Sequence, residues 1–104
     1  TTFDIFLQNI KKHKLQKQVE PIRKMSWDAI NDINEPISFL FIDGSHEYKD
    51  VKKDFFEWFP KVKIGGIIAF HDNNWDGVKK VLDEIDRNEF SEMGIVETIT
   101  WIKK

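Results

Sequence analysis

Cysteine is absent from all 104 residues. That excludes disulfides, thiolate metal sites and a cysteine nucleophile, and it fits the reducing cytoplasm. No apolar run approaches the ~20 residues that cross a bilayer, and no secretory signal is present, so no membrane partner is expected. Charge of neither sign prevails: 16 Lys and Arg stand against 18 Asp and Glu. That balance gives no reason to expect nucleic acid as a partner. The local run of Lys11, Lys12, Lys14 and Lys17 reads as a solvated helix end. Glycine is scarce and late. The five glycines are Gly44, Gly65, Gly66, Gly77 and Gly94, so the first 43 residues hold no glycine-rich turn.

What is present suffices for one domain over 1–104. Apolar residues make up 40% and include four Trp and nine Phe, enough for a single core. Phe3, Phe6, Leu7 and Ile10 recur at helical spacing, with Thr1 or Thr2 as a cap. Residues 18–23 (QVEPIR) read as a weak strand, placed at an edge because Pro21 cannot donate to a ladder. Residues 26–34 predict a short helix, capped by Ser26, with Trp27, Ile30 and Ile33 inward.

ISFLFI (37–42) is a near-continuous apolar run, the mark of a strand buried on both faces. Tyr48, Val51, Phe55 and Trp58 predict a helix over 47–59 that Pro60 ends. Gly65 and Gly66 read as a turn into a second buried strand at 67–70. Val78, Val81, Leu82 and Ile85 mark another helix, before a closing strand or hairpin at 92–103. Strands alternating with helices predict βαβ units and an α/β fold with a parallel sheet covered on both faces.

Two strand ends carry chemistry. FIDGSHEYKD (41–50) stops its apolar run at Asp43, with Gly44, Ser45 and His46 following. IIAFHDNN (67–74) stops at His71, Asp72 and Asn73. Ligands of open parallel sheets bind beyond the carboxyl ends of the strands. If the two strands are neighbours, their ends lie ~5 Å apart, and the carboxylates of Asp43 and Asp72 can then reach a common point. Two carboxylates that close repel unless a cation lies between them. Mg²⁺ takes oxygen ligands at ~2.1 Å, and Asp43, Asp72 and the Asn73 amide oxygen would make half of such a shell. Each residue alone also has a plainer reading: either Asp as a turn or cap, His46 as a first-turn helix residue, His71 as a strand-end histidine. Trp27, Trp58 and Trp75 read as packing.

Together, Ile42-Asp43-Gly44-Ser45-His46-Glu47-Tyr48, Asp54 with Trp58, Gly65-Gly66 and His71-Asp72 resemble the class I S-adenosylmethionine-dependent methyltransferases. The branch concerned reads IDG-x-H-x-Y, D-x-x-x-W, a GG turn and HD. The match is close over 41–72 and loose over the rest. It implies a Rossmann-like, doubly wound, mostly parallel sheet, S-adenosylmethionine as cofactor, and methylation of oxygen on a small molecule or sugar. In metal-dependent O-methyltransferases of the catechol and macrolide-sugar types, Asp43 falls on the first metal aspartate and Asp72 on the second. The third ligand stays open: the catechol type uses the position of Asn73, the sugar type an acidic residue at the position of His71. His46 falls on the histidine base of the sugar type, where the catechol type has lysine. The resemblance also implies cofactor contacts at Ser26 and Trp27, beside the adenine, and at Asp43 and Gly44.

The same families begin with a strand, an E-x-G-x-x-x-G turn and an acidic residue for the ribose. None of these occurs here, and Ile64 stands where Pro is usual before the GG turn. The chain therefore reads as a C-terminal portion starting near the third helix. Its sheet should be incomplete, with an open edge that invites pairing with another copy, and the chain alone should bind S-adenosylmethionine weakly or not at all. The competing reading is a non-catalytic α/β module used for assembly. A third keeps the fold and the HD ending without a metal.

Overall fold

The apolar runs at 37–42 and 62–70 become the two central strands of a computed structural model that describes residues 1–22 and 24–104. β1 (Ile37–Ile42) and β2 (Val62–Phe70) pair in parallel. They are joined by α3 (Tyr48–Trp58), which follows α1 (Thr2–Lys12) and α2 (Ser26–Ala29). After α4 (Asp76–Glu84), the chain closes as a hairpin of β3 (Glu92–Val96) and β4 (Ile99–Lys103). The sheet order is β1-β2-β4-β3, with β4 antiparallel to both neighbours. β1, β2 and β3 thus run one way and β4 the other. The architecture is α/β and Rossmann-like.

The helices form where the 3.6-residue spacing places them. α1 opens with a capping box, Thr1 Oγ1 accepting from the Asp4 amide at 3.2 Å. α3 buries Val51 and Phe55, and α4 buries Val78 and Val81, against Ile42, Ile68, Phe70 and Ile102 of the sheet. Phe55 lies 5.6 Å from Phe70 and 4.9 Å from Phe59 between ring centroids. Each such burial contributes about 1.5–3 kcal/mol. The core therefore fastens α3 and α4 to one face of the sheet, which fixes the strand ends above them.

Four features differ from the sequence expectations. Residues 18–22 form no strand. Gln18 and Val19 instead donate to the Leu15 carbonyl at 3.0 and 2.9 Å, while Arg23 lies outside the described residues. Pro21 has no donor, and no described strand stands beside this segment. Gly65–Gly66 is no turn but a bulge inside β2: Ile37 pairs with Val62, and the next partners are Phe39 and Ile67. Gly65 takes φ +88° there, a backbone conformation that suits glycine. Ser26 is no cap either; Met25 precedes the helix in extended conformation, and the Ser26 hydroxyl donates to Asp54 on α3. Finally, β1 is buried on the helix side only, with Phe39 58% and Phe41 45% exposed on the other.

Candidate active site

The site is assembled by the parallel register. Ile42 pairs with Phe70, so the next residues, Asp43 and His71, leave the sheet side by side. The His71 amide still donates to the Ile42 carbonyl at 3.1 Å. Asp72 then turns into the left-handed region at φ +58°, which aspartate tolerates better than most residues. Its carbonyl accepts from the Trp75 amide at 3.0 Å. This reversal directs the Asp72 carboxylate back toward its strand neighbours.

Two imidazoles meet the two carboxylates. His71 Nδ1 lies 3.0 Å from Asp43 Oδ1 and 3.2 Å from Asp72 Oδ2. His46 Nε2 lies 2.6 Å from Asp72 Oδ2. Ionised carboxylates only accept, so each imidazole N–H is the donor. Ligand atoms of Asp43, His71 and Asp72 all fall within 4.8 Å of one another.

His46 is held from two further directions. Its ring stacks on Trp75 at 4.3 Å between centroids and 21° between planes. Behind it, Gly77 in the first turn of α4 presses on the loop backbone. A Cβ there would meet the Tyr48 nitrogen at 2.8 Å and the His46 carbonyl oxygen more closely still. Besides Asp72, Trp75 and Gly77 thus hold His46 in place. Neither was a sequence candidate. The available signals were a tryptophan three residues past Asp72 and a glycine within a helical pattern.

The other candidates divide. Asn73 turns to the hairpin, its Nδ2 donating to the Glu97 carbonyl and Thr100 Oγ1, both at 3.1 Å. Ser26 and Gly44 meet on opposite sides of Asp54, which accepts from the Ser26 hydroxyl and has its Oδ2 3.9 Å from where a Gly44 Cβ would lie. Trp27 lies against α3, with Lys53 Nζ 4.6 Å above its ring. Beside Asn73 and Asn74, a cleft of about 690 Å³ opens between α4 and the hairpin, walled by Leu82, Phe90, Met93 and Ile95. Its volume falls within the range of small-molecule sites.

Comparison with known proteins agrees with this architecture. A methyltransferase-domain family matches residues 1–73. An uncharacterised protein of Sinorhizobium fredii is 40% identical over 52 residues, 49% of this chain and 6% of that protein. An uncharacterised protein of Acanthamoeba polyphaga mimivirus is 29% identical over 102 residues, 81% of this chain and 46% of that protein. The apo structure of a TDP-rhamnose 3'-O-methyltransferase of calicheamicin biosynthesis superposes with a TM-score of 0.61 at 12% identity. The superposition covers 78% of this chain and 37% of that one, and shows a shared fold. The chain spans less than half the length of each of these relatives.

Proposed function

We propose, from the premise that this chain belongs to the class I S-adenosylmethionine-dependent methyltransferase family, that the protein methylates a hydroxyl oxygen of a small molecule or sugar. The observation that carries the reading is the convergence of Asp43, His46, His71 and Asp72 from two adjacent parallel strand ends, where such sheets bind ligands. The TDP-rhamnose acceptor of the structural neighbour favours an acceptor of that kind.

His46 is the base. The Asp72 carboxylate accepts from Nε2, which fixes the tautomer and leaves Nδ1 with a lone pair for the hydroxyl proton. Asp72 then stabilises the imidazolium as it forms. S-adenosylmethionine, when bound, would supply an electrophilic methyl carbon to the deprotonated acceptor oxygen, with its thioether sulfur as the leaving group. Trp75 keeps the ring in plane, so the transfer is governed by orientation. Asp43 and Asp72, with a third donor, suit a divalent cation, which when bound would lower the hydroxyl pKa and anchor the acceptor.

On the cofactor side we assign Ser26, Trp27, Asp43 and Gly44. The 104 residues alone have no glycine before Gly44, so weak S-adenosylmethionine affinity is expected of this chain. No helix among the described residues is long and apolar enough to cross a membrane, and with no cysteine we place the protein in the cytoplasm. The free β1 edge favours a second reading, a non-catalytic module that assembles through its sheet.

Labelled-methyl transfer to a panel of hydroxylated acceptors tests the enzyme reading. His46→Ala should lower turnover by ~10²–10⁴-fold, the usual contribution of a positioned base. Unchanged turnover would remove His46 from that role. At saturating S-adenosylmethionine, which offsets the weak affinity expected of this chain, absence of transfer to every acceptor would favour the assembly module.

A further inference from the structure

We propose that His71, and not Asn73, is the third donor beside Asp43 and Asp72, and that its imidazole makes the site select Mn²⁺, Co²⁺ or Zn²⁺ over Mg²⁺. This rests on the metal-assisted reading above and gives that site its ion.

Geometry separates the two candidates. Both Nδ2 hydrogens of Asn73 are spent on the Glu97 carbonyl and Thr100 Oγ1, and its backbone amide donates to the Thr98 carbonyl at 3.0 Å. Thr100 is only 3% exposed. Swinging the amide into the cluster would strand a buried hydroxyl, at a cost of about 1–3 kcal/mol. Asn73 is a tie between the end of β2 and the β3–β4 turn.

His71 already faces both carboxylates. Two ligands at ~2.1 Å from an octahedral ion and at right angles to each other lie ~3.0 Å apart. The His71–Asp43 and His71–Asp72 separations are 3.0 and 3.2 Å, so His71 Nδ1 already stands at octahedral-edge spacing from each carboxylate, and the three ligand atoms lie within 4.8 Å of one another. The Nδ1–H now shared by the two oxygens is the proton that a cation replaces. The donor set is then two carboxylates and one imidazole. Mg²⁺ favours oxygen alone, whereas imidazole raises affinity along the series from Mn²⁺ to Zn²⁺.

Mn²⁺ binding to the 104-residue chain, read by loss of the free-ion electron paramagnetic resonance signal, tests this directly. The bound Mn²⁺ should survive a tenfold excess of Mg²⁺. His71→Asn should weaken Mn²⁺ binding by at least the ~10–100-fold lost on removing an outer-shell partner. Asn73→Ser should leave Mn²⁺ binding within about twofold, since its target is the hairpin. In the unmodified chain, Zn²⁺ should shift the ¹⁵Nδ1 resonance of His71 and leave the Asn73 side-chain amide in place, a readout that needs no variant to fold. Displacement of Mn²⁺ by equimolar Mg²⁺ overturns the selectivity while keeping the metal site. Movement of the Asn73 amide without His71 overturns the donor assignment. No binding of any of these ions overturns the proposal together with the metal-assisted reading beneath it, and leaves the base role of His46 to the turnover assay.

Discussion

At the residue scale, Gly77 shows two effects in opposition. Alanine at a helix position is worth about 0.5–1 kcal/mol more than glycine. Here, however, the added Cβ would strike the His46 carbonyl and come within 2.8 Å of the Tyr48 nitrogen. Both are backbone atoms that no rotamer change can move aside, and overpacking of this kind costs about 1–3 kcal/mol. The clash should win. Gly77→Ala is expected to lower the melting temperature, by ~4–8 °C for each kcal/mol lost in a chain this size, and to separate His46 from Asp72. A variant melting at or above the parent would show that the loop yields freely. Asp43, His46, His71 and Asp72 were legible as candidates because each adjoins an apolar strand run. Trp75 and Gly77 were not. Their roles depend on the start of α4 packing across the loop that leaves β1, a contact between different crossover units that no local spacing encodes.

At the scale of elements, α3 and α4 are fastened by a polar staple outside the core. Tyr48 OH donates to Glu84 at 2.6 and 2.5 Å and accepts from Lys52 Nζ at 3.1 Å, while Lys80 Nζ lies 4.2 Å above the tyrosine ring. The hydrogen bond from Tyr48 holds the Glu84 carboxyl below its ordinary value of 4.5; desolvation is the next-largest influence and opposes it, and the charges of Lys52 and Lys80 add to the lowering. The hydrogen bond with Tyr48, then the Glu84 charge, raises Lys52 above 10.5. A depressed carboxylate stabilises the fold above its unfolded pKa and loses that contribution as pH falls through the folded value. The raised lysine contributes below 10.5 and loses its share at more alkaline pH. All three groups are solvent-accessible, so the effect is small. Tyr48→Phe should therefore melt lower than the parent at neutral pH, with the gap narrowing as pH falls below 4.5 and through the folded-state value of Glu84. A gap that persists in acid would assign Tyr48's contribution to packing instead. The amphipathic spacing of α3 and α4 made these helices readable. The β2 bulge was not, since GG marks a turn and a bulge equally well until register is known.

At the scale of the whole molecule, the near-continuous run of β1 pointed to burial on both faces, and the structure gives it on one. Periodicity reports how apolar a strand is, not whether a second layer is present to cover it. Phe39, Phe41, Ile67, Ala69, Ile99 and Trp101 line an open apolar depression of about 340 Å³. β1 is also a free edge, and ISFLFI contains none of the charges or prolines that usually blunt one. Two copies pairing through β1 would extend the sheet in its own plane and set the Phe39 and Phe41 side chains of the two copies side by side. Phe39 and Phe41 are each roughly half exposed. Cross-strand contact between these side chains contributes about 0.2–1 kcal/mol per pair, to which new ladder hydrogen bonds add about 0.5–1.5 kcal/mol each. Association costs about 4–15 kcal/mol, so the balance is a weak dimer. Light scattering across a concentration series should show a monomer in dilute solution giving way to dimer, and Phe41→Lys, which sets a charge on the shared face, should hold the monomer throughout. A parent that stays monomeric at every concentration would mean that the open edge is not self-complementary, and would leave the assembly reading without its partner.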